Sequence, residues 1–242
     1  MKKATNKGRV TLERALSKLG LASRTDSCAL IESGQVKVHG VLELNPLRQV
    51  NPDTAHIELK GSKAIKAASQ LILFHKPKGV VTTKRDPEGR PTVYDFLPEQ
   101  YQSFHPVGRL DMHTTGLLLL TNDTRLSSYL TDPVQKIERV YVVKVRGKVM
   151  IPTTERMMMG VDVDGVRLIA KNVNLLKSSA RESLLRMILE EGKNREIRNL
   201  CLALGHEVVG LKRISFGSFQ LGDLAPGSYQ VGVAPAHFSS PA

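Results

Sequence analysis

A chain of 242 residues can bury a substantial core and accommodates one or two domains. Its hydrophobic fraction of 41% suits a globular protein. No apolar run nears the roughly 20 residues of a membrane helix, so a spanning role is excluded, and no secretory leader is expected behind the basic opening MKKATNKGRV. Lys and Arg number 35 against 23 Asp and Glu, and the net charge of +12 points to a long polyanion as partner, nucleic acid ahead of an anionic membrane surface.

In chain order, Leu12, Ala15, Leu16 and Leu19 recur at helical spacing and predict a short helix closed by Gly20. Ser23, with Asp26 three residues on, predicts the start of a second helix that runs through Leu30 and Ile31 and stops at Gly34. GQVKVHGVLEL then alternates as a hairpin with Gly40 in its turn. Two short helices and a small sheet over residues 9–60 resemble the S4 RNA-binding domain, on the signature LGLASR (19–24) followed by IESGQVKVHG (31–40). The resemblance implies RNA contacts, with Arg24 and Lys37 as candidates. Thr25 stands where that family has a second basic residue, and His39 where it has Asn.

Residues 61–69, GSKAIKAAS, are small and basic and read as a flexible linker. From residue 70 to about 236 the pattern is α+β, a mixed, mainly antiparallel sheet flanked by helices. LILFH (71–75) is a strand, KPKG (76–79) a turn, and VVTT resumes the strand. Four consecutive leucines, Leu117 to Leu120, read as a strand buried on both faces, with Asp111 at its mouth and Gly116 allowing close backbone approach. A short helix over TRLSSYLTD, strands over 138–147 and 184–192, a helix with Ile197, Leu200, Cys201 and Leu204 on one face, and a strand over HEVVGLKRISFGSF follow. The run Met157, Met158, Met159 reads as packing filler. The final HFSSPA reads as a disordered tail.

Cys28 and Cys201 lie far apart and outside any CxxC pair, and the seven histidines have no ligand spacing, so buried thiols and no metal site are expected. A glycine-rich cofactor loop after an early strand is absent, which argues against a methyltransferase.

An aspartate after a turn is by itself a common turn former. Four segments in order give Asp111 more weight: KPKGVVTT (76–83), GRLDMHTTGLLLLTND (108–123), ERVYVVKV (138–145) and EGKNREIRNL (191–200). Together they resemble the RsuA/RluB/RluE/RluF group of ribosomal RNA pseudouridine synthases, and with the S4 match the resemblance spans nearly the whole chain. It implies isomerisation of a uridine in ribosomal RNA, with 23S favoured over 16S. It also implies no cofactor or metal, a cytoplasmic monomer, and ribosomal RNA or an assembly intermediate as partner.

By the same resemblance Asp111 is the catalytic carboxylate, Tyr141 stacks on the uracil, and Arg198 pairs with Asp111 to keep a buried carboxylate charged. Arg109, Lys76, Lys78 and Arg195 are candidate RNA contacts, the two lysines as a phosphate clamp. His113 and Thr115 depart from the family pattern, which has an acidic residue and a serine there. A non-catalytic RNA-binding assembly factor of the same fold is the alternative.

Overall fold

The computed structural model describes residues 8–19, 21–22, 24–63 and 68–235. The expected caps Gly20 and Ser23, the inner linker residues 64–67 and the tail from 237 lie outside them. The chain divides into two compact units, with the main break between Gln70 and Leu71.

The first unit holds α1 (Leu12–Lys18) and α2 (Arg24–Glu32) beside a small sheet. Leu12, Ala15, Leu16 and Leu19 turn inward with Ile31, Val36, Val38 and Ile57, as the helical and alternating patterns require. The sheet comprises β1 (Val36–Val38), β2 (Val41–Leu42), β3 (Ile57–Leu59) and β4 (Ser62–Lys63). His39 and Gly40 both take positive φ, 54° and 78°, to close the β1–β2 hairpin. Ser62 and Lys63 were expected in a linker. They instead pair with Leu59 and Glu58, because a Lys60–Gly61 turn, both at positive φ, folds the chain back on β3.

The second unit is built on a nine-stranded sheet. Its main strands are β5 (Gln70–Lys76), β6 (Thr115–Thr121), β7 (Arg139–Arg146), β8 (Asn172–Ser178), β9 (Glu182–Leu189), β10 (Val208–Phe216) and β11 (Tyr229–Val233). They lie in the order β8-β9-β7-β10-β6-β5-β11. β6 pairs antiparallel with β5 and parallel with β10. All four of its leucines are fully buried, as expected of a strand covered on both faces.

Helices α3 (Thr124–Thr131), α4 (Ile151–Met159) and α5 (Glu196–Ala203) are the described α-helices of this unit. α4 was not read from the sequence, where its three methionines and Pro152 obscure the period. Met157 is buried and Met159 exposed. VVTT does not resume a strand. Beyond Lys76 it makes a single bridge, Val81 to Thr92, because the KPKG turn carries the chain out of the sheet.

Gly116 carries the closest approach in the sheet. At φ +102°, a Cβ there would stand 2.1 Å from the carbonyl oxygen of Arg213. Only glycine lets the parallel β6–β10 pairing form beside the Asp111 turn. Gly116→Ala is expected to cost about 3 kcal/mol or more, from overpacking added to backbone strain. Denaturant unfolding would measure the loss.

Candidate active site

Asp111 follows the buried Leu110 and opens a tight turn, in which the Thr114 amide donates to the Asp111 carbonyl at 2.9 Å. The turn is fastened from three sides. The Gly79 amide donates to the Met112 carbonyl at 2.9 Å, and Thr82 Oγ1 donates to the Leu110 carbonyl at 2.9 Å. Lys76, at the end of β5, donates through Nζ to the carbonyls of Pro77 (3.0 Å), Met112 (3.3 Å) and Thr114 (2.9 Å).

Lys76 is fully buried, so the expectation that it clamps RNA phosphates is overturned. Its three N–H groups are taken up by three carbonyls, two of them in the Asp111 turn. Burial pushes its pKa down to about 8, and the Asp111 carboxylate pulls it partly back. Lys78, on the same turn, is exposed.

Beside Asp111 opens a cavity of about 310 Å³, lined among others by Arg139, Tyr141, Arg195, Glu196, Arg198 and Arg213. Tyr141, half-buried on β7, packs against both apolar clusters of this unit and so stands where they meet. Asp111 itself is not buried. Its side chain is 42% exposed, with Arg195 Nη1 at 3.8 Å from Oδ2.

Arg195, not Arg198, is thus the cation at ion-pair distance, and the expected Asp111–Arg198 bridge is absent. The reason lies in the backbone. Arg195 takes φ 50° just before α5 and projects to the rim. Arg198, within the first turn of α5, donates to the carbonyls of Val208 (3.2 Å) and His113 (3.1 Å), holding the Asp111 turn through its main chain. Burial and the neighbouring Arg195 lower the pKa of Arg198, and Asp111 opposes them. Arg109 is exposed at the cavity edge. Arg24 and Lys37 belong to the other unit, where Arg24 pairs with Glu13 at 2.8 Å and Lys37 points outward between two buried valines of β1.

Residues 70–203 match the family described as RNA pseudouridylate synthase. The chain belongs to this family. It is 33% identical over 222 residues to an uncharacterized RNA pseudouridine synthase of Aquifex aeolicus, covering 91% of this chain and 89% of that one. It is 34% identical over 223 residues to the ribosomal large subunit pseudouridine synthase B of Bacillus subtilis, covering 89% of each. A crystal structure of a pseudouridylate synthase superposes with a TM-score of 0.67 at 26% identity, over 93% of this chain and 96% of the other.

Three further residues of the synthase line the cavity that sequence reasoning passed over. Arg139 is buried and donates to the carbonyls of Leu130, Ile137 and Glu190. Arg213 is buried, donates through Nε to Leu117 (2.7 Å), and leaves Nη2 without a partner. Both guanidinium groups stand over the Phe216 ring, at 4.8 and 4.9 Å. Glu196 is buried, and burial raises its pKa against a hydrogen bond from the Lys193 amide. Strand alternation was the available signal for Arg139, which shares a face with Tyr141 two residues on. Arg213 lies directly opposite Tyr141 on β10.

Two outcomes are expected from Lys76. Lys76→Met should lower turnover about a hundredfold, because the Asp111 turn is left without its anchor, while the salt dependence of RNA binding stays at the wild-type slope. Filter binding beside a turnover assay checks both.

The second outcome concerns stability. The unfolded lysine keeps its proton to about 10.5 and the folded one releases it near 8. Between those values the unfolded chain binds more protons, so rising pH favours the fold. Wild type should gain stability relative to Lys76→Met across that window in denaturant titrations.

Proposed function

We propose that this synthase isomerises a uridine in the RNA of the large ribosomal subunit. The observation that carries the reading is that Asp111, on a turn held by Lys76 and Arg198, shares one cavity with Tyr141 of β7. The relative from Bacillus subtilis, which carries the large ribosomal subunit in its name, supports the substrate.

In this reaction the N1–C1′ bond breaks, the uracil turns, C5 bonds to C1′, and the C5 hydrogen leaves as a proton. Asp111 supplies the carboxylate at the ribose, either as nucleophile at C1′ or as the base that gives a glycal. Its partial exposure suits a group that must meet a nucleotide flipped in from outside. Tyr141 offers an aromatic face for the uracil. Arg195 and Arg109 supply cations at the rim for the backbone phosphates.

Residues 9–60 are read as the S4-like module that captures structured RNA, with Arg24 and Lys37 on its surface. Their two-helix and hairpin arrangement supports this reading, as does the overall charge of +12. The enzyme is read as a cytoplasmic monomer that acts without a cofactor. Among the described residues no helix is long and apolar enough to cross a membrane.

The test is tritium release from [5-³H]uridine-labelled large-subunit RNA. Wild type should release tritium, and Asp111→Asn should release none while still binding. Equal release by both would remove Asp111 from the chemistry. Binding without release by the wild type would favour an assembly factor.

A further inference from the structure

A second hollow, of about 350 Å³, adjoins the Tyr141 cavity at the Arg109–Asp111 segment. The segment is a shared wall, since Arg109, Leu110 and Asp111 line both spaces. The far side of the hollow is the loop that leaves the sheet after β5, with Thr82, Thr83, Arg85, Asp86, Pro87 and Arg90.

This loop is preformed. Arg90 grips both oxygens of Asp86, through Nε at 3.0 Å and Nη2 at 2.7 Å, and reaches Glu88 at 2.9 Å. Those hydrogen bonds hold the Asp86 carboxyl below its usual range. Thr83 Oγ1 donates to the Arg85 carbonyl at 2.9 Å, and Thr82 Oγ1 stitches the loop to Leu110. The charges therefore separate into two groups. Arg90 is taken up by carboxylates. Arg85 and Arg109 are exposed, and among the described residues their guanidinium groups make no ion pair or hydrogen bond.

We infer that this hollow is a subsite for the nucleotide adjoining the target uridine, with Arg85 and Arg109 facing its phosphate across the Asp111 wall. The inference rests on the proposed activity. The ribose that reacts must lie at Asp111, and its uracil must turn within the Tyr141 cavity. A neighbouring nucleotide that leaves across the Arg109–Asp111 segment meets this hollow directly. A rigid floor with two uncompensated cations matches a single-stranded backbone segment, in which phosphate contacts position and carry no sequence information.

The test uses the full chain and large-subunit RNA transcript. Affinity is measured against salt concentration for wild type, Arg85→Gln and Arg85→Lys. Removing one cation from a single-stranded phosphate should make the slope of log affinity against log salt shallower by about 0.7. Arg85→Gln should show that change and bind about tenfold more weakly at low salt. Arg85→Lys should keep the wild-type slope, because it keeps the charge. Wild-type slope and affinity in Arg85→Gln would overturn the subsite. So would weaker binding at an unchanged slope, which would mark Arg85 as a structural residue of the loop. The slope comes from binding alone, so it decides the subsite independently of tritium release, which judges the activity.

Discussion

The active turn depends on one buried ammonium group. Lys76 sits at the end of a core strand with no exposure, and its three N–H groups are divided among three main-chain carbonyls. Burying a charge is costly unless its hydrogen bonds are made, and here two of the three are made to the peptide groups that shape the Asp111 turn. The cost shows in the depressed pKa. The gain is a carboxylate whose backbone cannot drift, which is what a reaction requiring a near-attack arrangement demands. Arg198 reaches the same turn from α5, through the His113 carbonyl.

The arginines of the cavity divide by what their guanidinium groups touch. Arg139, Arg198 and Arg213 are engaged by main-chain carbonyls, and two of them also stack on Phe216. Arg195 and Arg109 are exposed at the rim. Inner arginines thus build the wall and set its positive potential, while the outer ones remain open to solvent. The formal net charge of +12 does not reveal this division, because it counts a structural arginine and a binding arginine alike.

Much of the fold was legible because its periods were clean. The four leucines of β6, the helical face of α5 and the inward residues of α1 all lie where the apolar pattern puts them. α4 was not legible, since three adjacent methionines fill every face of a helix and show no period. Asp111 and Tyr141 were found through short segments in a fixed order, and they share one cavity. The contacts of Lys76 and Arg198 differ from those expected for one reason. Charge type is written in the sequence, but what a long, flexible cation touches is decided by which carbonyls the tertiary fold brings within reach. Arg195 and Arg198 are three residues apart on one segment, and only the left-handed turn at Arg195 separates their directions.

The parallel pairing of β6 with β10 joins Thr115 and Gly116 to Lys212 and Arg213. Beyond it, β11 at residues 229–233 closes the edge of the sheet against β5. Pairings this distant in sequence incur their loop-closure entropy before any packing offsets it. During synthesis the Asp111 turn emerges about a hundred residues before the strand that supports it, taking the register of that pairing as the measure. A nascent chain that has just exposed the Asp111 turn therefore still lacks the strand that fixes it. The turn takes its last support only when β10 docks beside Gly116.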